Sequence, residues 1–108
     1  LETCLSEGRL AGFEGFELGN KFPRDASALK PILERHGLAL VSGWYGSRLL
    51  ERDVDAEMAE AEPHIALLGA LGCTVMVHAE VSRAIHGERT TPLSERPVLS
   101  DPDWALLT

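Results

Sequence analysis

Hydrophobic and polar positions follow two different periods along this chain, and each change of period predicts a new element. In three segments the apolar residues recur every three or four positions, which is the spacing of one helical face. A short run rich in Val, Leu or Phe follows each segment, as is typical of buried parallel strands. The order helix–strand, repeated three times, predicts an α/β fold with parallel strands and right-handed crossovers.

The predicted helices share their way of ending, since each closes on a glycine that can adopt the left-handed conformation. These glycines are Gly12, Gly37 and Gly72. The apolar side predicted for the first helix consists of Cys4, Leu5 and Ala11. The second helix has Asp25 or Ser27 as its N-cap. Pro31 favours a start later than Asp25, because proline suits the first turn better than the middle.

The third predicted helix is the longest and contains a proline. Its apolar positions at three- and four-residue spacing are Met58, Ala61, Ile65 and Leu68. Pro63 lies among them and predicts a kink or a split into two helices. The three predicted strands are Phe13–Leu18, Leu38–Gly43 and Thr74–Ala79.

The two ends of the chain differ from those expected of a complete domain. A polar stretch over residues 81–99 is longer than most connections in compact domains. Ser100 or Asp101 then predicts the N-cap of a further helix, with Pro102 near its first position and Asp103 in its first turn. Because three parallel strands would also leave two edges unpaired, we expect residues 1–108 to be one part of a longer single-domain protein.

Composition and charge narrow the classes of function. The chain of 108 residues is 44% hydrophobic and 25% charged, which is ordinary for a globular domain. Its formal net charge of −7 argues against nucleic acid and anionic membranes as partners, because both require a surplus of Lys and Arg. Cys4 and Cys73 form no CxxC motif, so we expect free thiols in a reducing cytoplasm. Dinucleotide-binding, P-loop, serine-hydrolase and zincin motifs are absent.

Polar and aromatic residues gather at the predicted carboxyl ends of the strands, where parallel α/β folds bind ligands. They are Glu17, Asn20, Lys21, Ser42, Trp44, Tyr45, His78 and Glu80. His78 and Glu80 share one side of a strand and could be metal ligands, although a salt-bridged pair is favoured because two ligands are too few. Glu17 could bind a sugar hydroxyl, Lys21 an oxyanion and Trp44 a ring-shaped substrate. For each of them a solvated or packing role stays open.

Several segments resemble the inosose dehydratases, which belong to the xylose-isomerase-like superfamily of TIM barrels. The segments are AGFEGFELGNKFPRD, LKPILERHGLALVSGWY, RLLER and LGCTVMVHAEVS. ELGNKFPRD and SGWY are fairly specific to this family, whereas the alternation of strands and helices indicates only the superfamily. The resemblance implies that residues 1–108 are a partial (β/α)8 barrel holding about strands two to four, with their helices.

The resemblance also implies a reaction and a set of site residues. Inosose dehydratases are hydro-lyases of inositol catabolism that remove water from 2-keto-myo-inositol. The family uses a divalent metal, cobalt or manganese, which the superfamily holds on later strands, and it is associated with glutathione. Carried over by motif, the substrate-binding residues are Glu17, Asn20, Lys21, Trp44 and Glu80. No catalytic residue and no metal ligand is assigned to this chain, and the isolated chain is expected to be inactive.

Two other interpretations stay open. The chain could belong to another sugar isomerase or epimerase of the same superfamily, whose later strands carry different ligands. It could also be a partial barrel without catalysis, which oligomerises by pairing its open strand edges with another copy. We expect a cyclitol ketone and further copies of the chain as binding partners. Neither nucleic acid nor a membrane is expected as a partner.

Overall fold

The computed structural model describes all residues from Leu1 to Thr108. The elements are α1 (Glu2–Leu10), β1 (Gly15–Leu18), α2 (Ala26–His36), β2 (Ala39–Ser47), α3 (Val54–Ala70), β3 (Met76–Glu80), a 3-10 turn (Leu93–Glu95) and α4 (Asp101–Leu107). Their order confirms the predicted alternation of helices and strands. None of the helices combines the length and the apolar character needed to cross a membrane.

The three strands form one parallel sheet in the order β1–β2–β3. One irregularity near Val41 shifts the pairing, so that Phe16 lies opposite Leu40 but Glu17 lies opposite Ser42. From Gly43 onwards β2 pairs without interruption with β3. The predicted parallel sheet is confirmed, and the arrangement is consistent with part of a TIM barrel.

The predicted helix ends are confirmed. All three terminal glycines have positive φ angles, and Gly37 adopts the left-handed conformation directly after α2, where a side chain would add strain. The side chain of Asp25 caps α2 by accepting a hydrogen bond of 3.0 Å from the backbone N–H of Ala28. Asp53 caps α3 in the same way, through the N–H of Ala56 at 2.8 Å.

The predicted late start of α2 and the predicted split of α3 are wrong, whereas the predicted kink at Pro63 stays a prediction. Helix α2 begins at Ala26, directly after its cap, and contains Pro31 in its interior. Helix α3 is one continuous helix that contains Pro63. A proline removes a single backbone hydrogen bond, and the neighbouring turns keep theirs. Burial of Leu67 and Leu68 against the sheet stabilises α3 beyond Pro63.

The core lies between the helices and one face of the sheet. Its nine buried members are Leu5, Leu18, Leu29, Leu33, Leu38, Leu40, Leu67, Leu68 and Cys73. In α1 Leu5 is buried as predicted, but Cys4 and Ala11 are exposed. In α3 Ala61 and Leu68 are buried as predicted, whereas Met58 and Ile65 are exposed. Only a narrow stripe of each helix reaches the sheet, so residues at the margin of a predicted apolar face remain outside the core.

The opposite face of the sheet has no covering layer. Its apolar side chains are exposed and include Val41, Trp44, Val75 and Val77. We call this uncovered surface of the sheet the open face. The chain is also less compact than usual, since its radius of gyration is 16.9 Å, whereas a compact chain of this length has about 13 Å.

Leu29 tests the assignment of the core, because its side chain is completely buried. In the whole protein, Leu29→Ala is expected to lower the free energy of unfolding by about 3 kcal/mol, because it leaves a cavity in a packed core. Leu10→Ala is the control, since Leu10 is 88% exposed, and its effect is expected to stay within about 0.5 kcal/mol. Urea unfolding measures both, and equal shifts for the two variants would contradict the assignment of the core.

Candidate functional site

The structure brings Glu17 and Trp44 onto the same open face. The hydroxyl of Ser42, on β2, donates a hydrogen bond of 2.7 Å to Oε2 of Glu17, on β1. Trp44 follows two residues after Ser42, so strand alternation places its indole on the same side. Tyr45 points the other way and donates a hydrogen bond to Glu57 of α3. A carboxylate, a hydroxyl and an indole therefore line the open face together.

The predicted position of Trp44 at a strand end is wrong. β2 continues to Ser47, and Trp44 lies inside it, opposite Val77 of β3. β1 ends earlier, at Leu18 opposite Gly43, so β2 lacks a neighbour on that side from Trp44 onwards. Trp44 therefore lies just beyond the carboxyl end of β1, the strand that carries Glu17.

Asn20 and Lys21 lie in the loop between β1 and α2, and both are exposed. A hydrogen bond of 3.4 Å from Arg24 to the carbonyl of Gly19 closes this loop on itself. The amide and the ammonium group thus stay accessible at the carboxyl end of β1. Their role in substrate binding stays a prediction.

Glu80 and His78 are found on the face of the sheet that carries the helices, opposite to Glu17. The hydroxyl of Ser47 donates to Glu80 Oε2 at 2.9 Å, and Nε2 of His78 lies 2.9 Å from the same hydroxyl oxygen. The two side chains thus share one side of β3 as predicted, but they are joined through Ser47 rather than by a direct ion pair. A role of Glu80 in substrate binding stays a prediction.

The carboxylate of Glu80 joins two connecting segments. Besides Ser47 it accepts hydrogen bonds from the backbone N–H groups of Leu49 at 2.8 Å and Ser82 at 2.6 Å. Burial raises the pKa of Glu80, but the hydrogen bonds from Ser82, Leu49 and Ser47 outweigh it, so the pKa lies below its ordinary value. The ionised carboxylate therefore holds the segment after β2 beside the segment after β3.

A second polar cluster, between β2 and α3, was not found from the sequence. Glu57 is buried and accepts hydrogen bonds from the hydroxyl of Tyr45 and from the N–H of Arg48 at 2.8 Å, with Nε of Arg52 at 3.3 Å. The hydrogen bond from Tyr45 is the main cause that lowers the pKa of Glu57. Burial and the same hydrogen bond raise the pKa of Tyr45 to about 12. The cluster fixes α3 on the sheet, because its hydrogen bonds join Glu57 of α3 to Tyr45 of β2 and to Arg48.

The segment from Val81 to Ser100 is anchored at its far end. Arg83 donates two hydrogen bonds of 2.8 Å each to the carboxylate of Asp103. Ser100 and Asp103 form a capping box at the start of α4, which confirms the predicted N-cap and the predicted first turn. The long polar stretch is thereby tied to both β3 and α4.

The Asp103 anchor predicts a change at acid pH. Hydrogen bonds from the backbone and side chain of Ser100, and from Arg83, lower the pKa of Asp103 from 3.8 to about 2. A carboxyl with a lowered pKa stabilises the folded state above its unfolded pKa, and the contribution is lost as the pH falls through the folded pKa. We therefore expect α4 to loosen between pH 3.8 and about 2.

Trp104 fluorescence, taken as the difference from a Trp104→Phe variant of the whole protein, measures this loosening. Asp103→Asn is the control, because it removes the titrating group while keeping the shape of the side chain. It is expected to show a loosened α4 near neutral pH and no further change in the acid window. An acid transition of the same size in Asp103→Asn would show that another group is responsible.

The chain contains no group of three or more His, Cys, Asp or Glu side chains close enough to hold a metal ion. The candidate pair from the sequence, His78 and Glu80, is joined through the hydroxyl of Ser47, which contacts both side chains. A divalent metal does not fit the residues present here, so no metal ligand is assigned within the chain.

Comparison with known proteins shows which proteins this chain is similar to. No protein-family model matches the chain. The rhizopine catabolism protein MocC of Rhizobium meliloti is 49% identical over 104 residues, which cover 96% of this chain and 32% of that protein. An inosose dehydratase of Geobacillus thermodenitrificans is 41% identical over 108 residues, covering 98% of this chain and 36% of the relative.

The chain is similar to the inosose dehydratases. A third relative, the inosose dehydratase of Yersinia enterocolitica, is 34% identical over 103 residues, 95% of this chain and 35% of its own length. The resemblance found in the motifs ELGNKFPRD and SGWY is therefore confirmed over nearly the whole chain. The chain spans about a third of the length of these inosose dehydratases and of MocC.

Proposed function

We propose that the whole protein is an inosose dehydratase, a hydro-lyase of inositol catabolism that removes water from 2-keto-myo-inositol. The observation that carries this proposal is the similarity of the chain to proteins of that name, which extends over 95–98% of its length. The parallel three-stranded sheet supports it, because a partial TIM barrel is the architecture that the resemblance implies.

The open face supports the assignment of a substrate site. Dehydration of a cyclic ketone requires a base for the proton next to the carbonyl and an acid that helps the β-hydroxyl leave. It also requires the ring to be held in one orientation, because both groups act on adjacent atoms. Glu17 can accept a hydrogen bond from a ring hydroxyl, and the indole of Trp44 offers an apolar surface for the ring. We propose that this chain holds the ring and that it supplies neither the base nor the acid.

The loop after β1 extends this proposed site. Lys21 can donate to an oxygen of the ketone or of a hydroxyl, and Asn20 can both donate and accept. Glu80 belongs to the set carried over from the family motif, but it lies on the opposite face of the sheet, and its carboxylate already accepts hydrogen bonds from Ser47, Leu49 and Ser82. Of the five residues, Glu17 and Trp44 have the strongest geometric support, because they share the open face.

We propose a divalent metal, cobalt or manganese, and glutathione as cofactors because the family that the chain resembles is associated with them. No cluster of metal ligands occurs in this chain, so we propose that the metal is bound by residues that lie outside it. Glutathione is assigned no site. Both cysteines are free thiols, which supports a reducing cytoplasm as the place of the reaction.

A second candidate function is favoured by one observation. The chain is 49% identical to a protein named for rhizopine catabolism, compared with 41% and 34% for the two inosose dehydratases described above. The same open face could hold the corresponding intermediate of that catabolism. Deleting the gene distinguishes the two proposals, because only the second predicts a loss of growth on rhizopine with growth on myo-inositol retained.

The direct experiment follows dehydration in vitro. The purified whole protein, with manganese or cobalt added, is expected to convert 2-keto-myo-inositol to a trihydroxycyclohexane dione. The absorbance of the product measures the rate. Turnover of other sugar ketoses at a higher rate, with isomerised rather than dehydrated products, would instead support an isomerase or epimerase of the same superfamily.

Association with further copies is a separate proposal, supported by the open face and by two unpaired strand edges. An edge offers unpaired backbone groups to another strand, and exposed apolar side chains favour burial. We expect the 108-residue chain on its own to sediment as associated species. A stable monomer with a sharp thermal transition would contradict this expectation.

A further inference from the structure

The segment that follows β3 turns across the end of β2 and reaches the indole of Trp44. A Cβ atom built at Gly46 would lie 2.9 Å from Cγ2 of Val81 and 3.0 Å from Cη2 of Trp44. Both side chains therefore pack over Gly46, which can accommodate them only because it has no side chain.

The indole of Trp44 also meets the imidazole of His86. The two ring centroids are 6.3 Å apart, and the ring planes make an angle of 83°. This is the edge-to-face arrangement that aromatic rings prefer, in which the positive edge of one ring approaches the negative face of the other. The sequence offered no reason to connect these residues, because His86 lies in a polar stretch without helical or strand periodicity.

The backbone that carries His86 is fixed close to this point. The N–H of Ser82 donates to Glu80 at 2.6 Å, and the hydroxyl of Ser82 accepts from the N–H of Leu50 at 3.2 Å. The adjacent Arg83 is held by its two hydrogen bonds to Asp103. Two consecutive residues are thus anchored a few positions before His86, so the place of the imidazole is defined by the fold.

We propose that His86 is a positioning residue, which holds the indole of Trp44 in the orientation that receives the ring of a cyclic polyol ketone. The inference rests on the proposed function, because it concerns the same site. Trp44 is 44% exposed on a sheet face without a covering layer, and an unrestrained indole there would lose side-chain freedom on binding. The contact with His86 restricts the indole before the substrate arrives, so binding costs less conformational entropy.

Kinetics of the whole protein test this role. His86→Ala is expected to raise KM for 2-keto-myo-inositol about two- to tenfold, with kcat nearly unchanged, because a lost ring contact weakens ground-state and transition-state binding alike. His86→Phe keeps an aromatic edge beside the indole and is expected to restore KM. Arg89→Ala is the matched control on the same loop, since the Arg89 side chain makes no hydrogen bond or ion pair. An unchanged KM in His86→Ala, or equal impairment in His86→Phe, would overturn the proposal.

A second measurement does not depend on turnover. In protein labelled with fluorotryptophan, the fluorine resonance missing from a Trp44→Phe variant belongs to Trp44. That resonance is expected to shift and narrow in His86→Ala, because the indole gains freedom, and to recover its width in His86→Phe. If it is unchanged in His86→Ala, His86 does not position Trp44. If the protein lacks dehydratase activity, the proposed function fails, and the fluorine spectrum still decides the contact between the two rings.

Discussion

The 108-residue chain by itself is expected to show no dehydration of 2-keto-myo-inositol, even with manganese or cobalt added, while the whole protein shows it. The reaction needs a base, an acid and electrostatic stabilisation of the developing enediolate on the same few atoms. The described residues contain no cluster of metal ligands, and we propose that the open face only holds the substrate. Removing the rest of the site should therefore abolish turnover rather than reduce it.

Product formation in paired assays of the two proteins, at equal molar concentration, checks this prediction. Adding the isolated chain to the whole protein is the control, because it shows whether the chain preparation contains an inhibitor. Saturable turnover by the chain alone would mean that it holds a base and an acid that we have not recognised.

The second large effect is expected in the whole protein, at Glu17. Replacing Glu17 by Ala removes the proposed acceptor for a ring hydroxyl and leaves Ser42 without its partner on β1. The loss of a charged hydrogen bond in a substrate site should lower kcat/KM roughly 10- to 100-fold. Metal content should remain nearly unchanged, because Glu17 is not expected to be a ligand. Glu14→Ala is the matched control, as an exposed glutamate just before β1.

Trp44→Ala is expected to weaken catalysis in the same way, with Trp104→Ala, at an exposed tryptophan of α4, as its control. Metal analysis of each variant by mass spectrometry separates substrate binding from metal binding. A Glu17→Ala protein that had lost its metal would show that the division between the substrate site in this chain and the metal centre outside it is wrong.

Glu17 and Trp44 are also to be tested together. Glu17 and Trp44 lie on the same face of the sheet, so their effects on binding one ring should be coupled. The double variant is therefore informative even though each single change already impairs binding. Tyr45 and Glu57, on the other side of the sheet, should contribute to stability and leave KM unchanged, because their hydrogen bonds join α3 to β2.

The amino-acid sequence determined the local features of this protein. Glycine at the ends of α1, α2 and α3, the aspartate cap of α2 and the capping box of α4 all act within a few residues, and each was predictable. The parallel sheet was predictable as well, because a strand followed by a helix can return to the same sheet only by a crossover. Even the common side of His78 and Glu80 followed from the two-residue period of a strand.

Only the tertiary structure decided which of the two faces each residue occupies. His78 and Glu80 turn towards the helices while Glu17 and Trp44 turn away, a choice set by strand pairing and by the irregularity near Val41. β2 extends beyond its predicted end because β3 pairs with it as far as Ser47. His86 reaches Trp44 from a polar segment with no period of its own. Such long-range contacts depend on how the elements pack, and the periodicity of a single segment carries no information about its neighbours.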